Sequence, residues 1–253
     1  MKNPFDLSGK SVLITGASSG MGEEAARALA AAGAELTIVG RNEERLEANR
    51  KTIEEAGGTA HPVIQDLTDE GGPARIVDEA VKAMGGINVL VNVAGIMELG
   101  SFQDHTPGMF DRMFTTNVRV PFLVTQAAYP HLKKSSGAII FFSSIAAHMA
   151  FPDSTVYSAT KGAIEGLVRQ LTVELGPQGI RVNAVAPGEI VTPMNDEFYA
   201  KYPDFEEEAK EFTPAKRLGY PDDVAPTIVY LASDAAKFVY GVSIVIDGGQ
   251  VAR

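Results

Sequence analysis

Short apolar runs rich in β-branched residues recur along this chain, and most do not alternate with polar residues. They read SVLIT (11–15), ELTIV (35–39), TAHPVI (59–64), INVLV (87–91), AIIFF (138–142), IRVNAVA (180–186) and SIVI (243–246). Runs of this length without alternation suit strands covered on both faces. Helical stretches separate them, at about 20–32, 42–56, 70–84, 107–134, 155–176 and 221–232. GPQG (176–179) stops the fifth helix and Pro221 opens the sixth. Strand–helix alternation implies a parallel sheet with helices on both faces. The fold class expected is therefore α/β, a doubly wound (Rossmann) seven-stranded parallel sheet. No linker or repeat divides residues 1–253, so a single domain is expected. An acidic, aromatic insertion at about 193–215 breaks the rhythm and reads as a substrate lid.

Several function classes are disfavoured. The chain has no cysteine, and His61, His105, His131 and His148 form no ligand-spaced pair, so no metal site is expected. The N-terminus lacks the apolar core of a signal peptide, and no apolar run reaches the roughly 18 residues needed to span a bilayer. Net charge is −10, which opposes nucleic acid and anionic membranes as partners. A cytoplasmic protein acting on a small molecule is expected.

TGASSGMG (15–22) follows the first strand and opens the first helix. Gly16, Gly20 and Gly22 leave room for a diphosphate at a helix N-terminus, with Ser18, Ser19 and Met21 between them. The alternative is a tight turn with no ligand. The second strand ends at Gly40–Arg41, where an NAD site usually presents a carboxylate. A guanidinium suits a 2′-phosphate, so NADP(H) is favoured, NAD(H) remains possible, and Arg41 could also be merely solvated. Asp66, beside Leu67, could accept from an adenine amino group or serve as a turn aspartate.

Two Tyr-x-x-x-Lys pairs occur, Tyr129–Lys133 and Tyr157–Lys161. On a helix each pair shares a face. Ligands of an open parallel sheet bind beyond the C-terminal strand ends. Tyr129 precedes the strand AIIFF, at the opposite edge, and Pro130 interrupts its turn. Tyr157 follows that strand, whose end carries Ser143 and Ser144. Tyrosine, lysine and serine so placed suit carbonyl reduction, with tyrosine as the acid. Lowering a tyrosine pKa by about 3 units needs roughly 4 kcal/mol, about what one cation at ~4 Å supplies at an effective dielectric of 20. Lys161 is expected to tune Tyr157 in this way.

TGASSGMG, NVAG (92–95), Asn117, Ser144, YSATK (157–161), APG (186–188) and DGG (247–249) appear in order across nearly the whole chain. As a set they resemble the short-chain dehydrogenase/reductase family. The resemblance implies catalytic roles for Asn117, Ser144, Tyr157 and Lys161. It selects Ser144, which precedes the tyrosine by thirteen residues, over Ser143. Asn117 would order a relay water with Lys161, and Lys161 would also bind the nicotinamide ribose. Asn92, Ala94, Gly95, Pro187, Gly188, Ile190 and Thr192 would line the cofactor site, although Val93 departs from the usual second asparagine. Glu98, His148 and Glu189 would surround the substrate. Relatives usually carry an apolar or aromatic residue at 189, so the glutamate predicts a polar, hydroxyl- or amine-bearing substrate, unless it faces solvent or pairs with Lys201 or Lys210. A homotetramer is the family expectation. The implied function is NADP(H)-dependent interconversion of a ketone and a secondary alcohol. The alternatives are a 3-oxoacyl-thioester (fatty-acid carrier protein) reductase, a sugar-nucleotide epimerase or dehydratase, for which the chain has little room, and a non-catalytic NADP(H)-sensing regulatory protein.

Overall fold

The computed structural model describes residues 3–196, 199 and 202–252. Among these, seven strands form one parallel sheet in the order β3-β2-β1-β4-β5-β6-β7. They are β1 Ser11–Thr15, β2 Glu35–Gly40, β3 Thr59–Ile64, β4 Val89–Asn92, β5 Ala138–Phe142, β6 Arg181–Pro187 and β7 Ser243–Ile246. The helices are α1 Gly20–Ala31, α2 Glu43–Glu55, α3 Gly72–Met84, α4 Pro107–Phe114, α5 Val120–Ser135, α6 Thr155–Leu175, α7 Phe205–Phe212 and α8 Pro221–Ala232.

The period of two along each strand sorts the core into two layers. Val12 and Ile14 point to the layer of α1, α2 and α8, where Leu29, Leu46 and Ile228 are buried. Leu13 points to the other layer, where Ile76 of α3, Val124 of α5 and Ile164 of α6 meet Phe141 of β5. Each such fully buried large side chain contributes about 1.5–3 kcal/mol. The unbroken apolar runs are thus explained, since both faces of the sheet are covered.

Helix starts follow local chemistry. The Asn42 side chain accepts from Arg45 N–H (2.9 Å) and that of Thr106 from Met109 N–H (3.2 Å). Asp223 accepts from Tyr220 N–H (2.8 Å) at the entrance of α8, with Pro221 in the first turn.

The expected 107–134 helix is not uniform. A π-helical turn, Thr115–Arg119, joins α4 to α5, with Val120 N–H reaching back to Thr115. The expectation that Pro130 interrupts its turn is corrected, because α5 runs through it to Ser135. The carbonyl that Pro130 cannot bond belongs to Gln126, an exposed residue. In the 193–215 segment, a 3-10 turn at Pro193–Asn195 and α7 are present. Residues 197, 198, 200 and 201 of that segment lie outside the described residues.

Candidate active site

The register brings the strand ends together. Thr15 pairs with Val39 on one side and Asn92 on the other, and Asn92 with Phe141. The loops that follow surround a cleft at the β1/β4 switch point. The glycine loop, Arg41, Asp66, Leu67, Ala94, Gly95 and Thr192 all line it.

Two glycines set the shape of the loop. A Cβ on Gly16, whose φ is +72°, would stand 2.8 Å from Ala94 N, and one on Gly22 would stand 2.1 Å from Gly16 O. Thr15 fastens the loop from below, its hydroxyl accepting from Val93 N–H (3.1 Å) and Ala94 N–H (3.3 Å). Ser19 precedes α1 without capping it by its side chain. The open N–H groups of that first turn, with no side chain over them, fit a diphosphate.

A Cβ on Gly40 would stand 2.9 Å from Ser18 Cβ. The position where an NAD site places a carboxylate is therefore filled by Ser18. Arg41 lies beyond it, largely exposed, with Nη1 3.6 Å from Asp66 Oδ2. The other oxygen of Asp66 accepts from Thr68 Oγ1 (2.7 Å) and Thr68 N–H (2.9 Å). The Thr68 bonds, with Arg41 beside them, hold the Asp66 carboxyl below its usual range. Asp66 is thus a turn aspartate at the cleft wall, with Arg41 beside it.

Tyr157, Ser144 and Lys161 converge from α6 and the end of β5. A hydrogen bond with Ser144 acts on the Tyr157 hydroxyl, and Lys161 Nζ stands 5.4 Å from the Tyr157 ring centre. Lys161 is buried and donates to the Phe142 carbonyl (2.8 Å). Ser144 Oγ accepts from Ala146 N–H (3.1 Å), which fixes it in the turn after β5. Burial pushes the Tyr157 phenol up to about 12, the Ser144 hydrogen bond counteracts, and Glu189 adds to the rise. Burial also pushes the Lys161 ammonium down to about 8. Desolvation thus opposes the tuning expected of Lys161.

Asn117 sits in the π-helical turn, buried. It accepts from Ile96 N–H (2.8 Å) and donates to Ile96 O (2.8 Å) and Thr160 Oγ1 (3.2 Å). Its side chain clamps the 92–96 loop to α6. Asn92 is buried at the end of β4 and donates to Thr125 Oγ1 (3.3 Å).

Pro187, Gly188 and Ile190 lie outside the cleft lining. A Cβ on Gly188 would stand 2.7 Å from Asp247 Cβ and 2.6 Å from Gln250 Oε1, so packing against the C-terminal turn demands that glycine. Ile190 is 4% exposed and its side chain belongs to the core. Of the expected substrate residues, Glu98 is held by Arg112 at 3.0 and 2.7 Å, and His148 Nε2 lies 3.5 Å from Glu165. Glu189 is half-buried, and the pairing with Lys210 considered for it is absent, since Lys210 bridges Glu206 and Glu207. Lys201 lies outside the described residues. The sequence reading missed Gln65, Thr68, Ile96, Thr116 and Met194, which also line the cleft. Gln65 and Thr68 flank Asp66 and could have been found from it. Thr116 is exposed to the cleft only by the π-helical turn.

The family model described as enoyl-(acyl carrier protein) reductase matches residues 16–250. A short-chain dehydrogenase/reductase of Pestalotiopsis microspora is 36% identical, covering 98% of this chain and 97% of its own. The chain belongs to the short-chain dehydrogenase/reductase family. It is an NAD(P)-dependent oxidoreductase acting on a CH–OH group. Within the family it is 40% identical to L-rhamnose 1-dehydrogenase (NAD(P)(+)) of Azotobacter vinelandii, over 95% of this chain and 96% of that one. The structure of a gluconate 5-dehydrogenase from Burkholderia cenocepacia in complex with NADP and tartrate superposes with a TM-score of 0.93. It is 31% identical and covers 99% of this chain and 98% of that one. Among the described residues, no helix is long and apolar enough to cross a membrane, and no cluster of ligating side chains could hold a metal ion.

Proposed function

We propose that this short-chain dehydrogenase/reductase interconverts a ketone and a secondary alcohol with NADP(H), using Tyr157 as the acid and base. The observation that carries the reading is the meeting of Tyr157, Ser144 and Lys161 at the C-terminal edge of the sheet. When bound, the nicotinamide supplies or accepts the hydride. The glycine loop would hold its diphosphate and Arg41 its 2′-phosphate, once Asp66 releases the guanidinium. In reduction, the Tyr157 hydroxyl gives its proton to the developing alkoxide oxygen. A phenol with a pKa of about 12 is protonated throughout the neutral range, so the donor is loaded. Ser144 orients the same carbonyl oxygen. Lys161, held on the Phe142 carbonyl, lies along the ring, where its charge together with that of the oxidised nicotinamide would favour the phenolate against the rise that burial alone gives.

The carrier-protein alternative is less well supported. Its acidic partner needs a basic patch, whereas the chain carries −10 and Gln178 accepts from the Tyr129 hydroxyl (2.6 Å). The homotetramer common in the family is proposed here too, and sedimentation reads it directly.

Loss of NADPH absorbance with a panel of ketones tests the reaction. No ketone-dependent oxidation by protein that binds NADPH would leave the sensing alternative. Arg41→Asp is expected to weaken NADPH binding by about tenfold or more while sparing NADH, as loss of a phosphate-paired guanidinium should. A wild type that binds NADH more tightly than NADPH would refute the cofactor assignment.

A further inference from the structure

Thr192, Pro193 and Met194 line the cofactor cleft on the side that faces the glycine loop. A Cβ on Gly20 would stand 3.3 Å from Thr192 Cβ, so this wall closes directly on that loop. The wall lies beyond the end of β6, and its backbone is tied by other means. Glu189 O accepts from Gly219 N–H (2.9 Å) and Gly219 O accepts from Val191 N–H (2.9 Å). The backbone before the wall is thereby joined to the backbone before α8. Asn195 Nδ2 donates to Ile190 O (3.0 Å) across the wall itself.

One side chain of the C-terminal turn meets both ends of this segment. Gln250 is 2% exposed. Its Oε1 accepts from Glu189 N–H (3.4 Å), ahead of the wall, and its Nε2 donates to Thr213 Oγ1 (3.0 Å), just after α7. The Thr213 hydroxyl donates its own proton to Ala209 O (2.7 Å) in α7. The turn that carries Gln250 is fixed in its place. Asp247 accepts from Gly249 N–H (2.8 Å) and Val251 N–H (2.7 Å), and Ala215 N–H donates to Gly248 O (3.0 Å). A Cβ on Gly248 would stand 2.7 Å from Thr213 Cγ2, so the turn lies flush against the residue that Gln250 holds. Gln250 itself lies outside the lining of the cofactor cleft. Removing a buried amide bonded at both ends strands partners that water does not reach.

We propose that Gln250 is a positioning residue for NADP(H): by holding Glu189 and Thr213 it keeps the Thr192–Met194 wall against the glycine loop, and so sets how slowly the cofactor leaves. The residue acts through the wall, from outside the cleft. The proposal rests on the NADP(H) reading of the cleft and is independent of the role given to Tyr157.

Reduced-nicotinamide fluorescence tests it, through the dissociation constants and release rates of NADPH and NADH. The proteins compared are wild type, Gln250→Leu, Thr213→Val and Thr213→Ser, and no turnover is needed. Gln250→Leu and Thr213→Val are expected to release NADPH about tenfold faster or more, the order of one stranded buried group. Their association rates should stay within a few-fold of wild type. Thr213→Ser keeps the hydroxyl and should restore slow release. Amide exchange without cofactor separates positioning from general loosening. In Gln250→Leu the amides of Val191 and Gly219 should exchange faster, while Ala17 N–H, bonded to Val39 O in the glycine loop, keeps its rate. Wild-type release from both variants, or equal acceleration at Ala17 and Val191, would overturn the proposal. If Gln250→Leu does not fold, Thr213→Val against Thr213→Ser decides alone. If wild type holds NADH rather than NADPH and its release follows Gln250, the NADP(H) reading falls and the positioning role stands. A wild type that binds neither would refute both.

Discussion

Tyr129 and Tyr157 carry the same spacing to a lysine and end in different chemistry. The Tyr129 hydroxyl is occupied by Gln178, at the turn before β6, and Lys133 sits over its ring at 5.9 Å. The hydroxyl of Tyr157 meets Ser144 at the opposite edge. Tyr157→Phe is expected to lower kcat by about 10²–10⁴, the usual worth of a positioned acid. Tyr129→Phe should leave turnover within a few-fold, and a reversed ranking in folded protein would refute the assignment. Lys161 carries a second consequence. Burial lowers its pKa from 10.5 to about 8, while the unfolded lysine keeps its proton up to its ordinary value. Between those pH values the unfolded chain binds more protons, so stability rises with pH there and is lost as pH falls through the window. Urea midpoints of wild type, relative to Lys161→Met, are expected to rise from about pH 8 toward pH 10. A flat difference would mean that the folded lysine keeps its ordinary affinity for the proton.

At the scale of elements, α7 contrasts with the helices of the core. Glu206, Glu207 and Glu208 fill its first turn, Lys210 pairs with two of them, and Ala209 is its buried residue. Surface pairs of this kind contribute little to stability, and Phe205 adds a stacking contact with Tyr199 at 6.2 Å between ring centres. Segments with so little burial open at low free energy. We expect 193–215 to act as a lid, with amide exchange in α7 slowing when NADPH and a substrate alcohol bind together. Equal exchange with and without saturating ligands would make α7 a static surface helix. The π-helical turn does the converse, because Asn117 ties it to Ile96 and Thr160.

Across the whole molecule, the sheet and its outer layer are joined by a buried guanidinium. Arg181 opens β6 and donates to Leu231 O (2.7 Å) and Ser233 O (3.3 Å) at the end of α8. Those are carbonyls a helix C-terminus leaves unpaired. Burial lowers the Arg181 pKa, yet a guanidinium stays charged at any working pH. Arg181→Leu strands both carbonyls, each at about 1–3 kcal/mol, so unfolding should become easier by a few kcal/mol. A thermal midpoint equal to wild type would show that water replaces the guanidinium at no cost.

The sequence alone determined the strand–helix alternation, the glycine loop and the serine pair, tyrosine and lysine at the proposed reaction centre. Each rests on periodicity or spacing within one strand–turn–helix unit, which the chain writes locally. Tertiary structure alone decided the partners. Arg41 stands 3.6 Å from Asp66, Arg112 pairs with Glu98, and His148 lies 3.5 Å from Glu165, from positions no local pattern connects. It also decided that Gly188 serves packing against Asp247 and that Ile190 belongs to the core. The sign of the tyrosine's pKa shift was decided there as well. Spacing places the lysine beside the phenol, but the balance between that charge and the loss of water is a property of the folded surroundings, and here desolvation prevails.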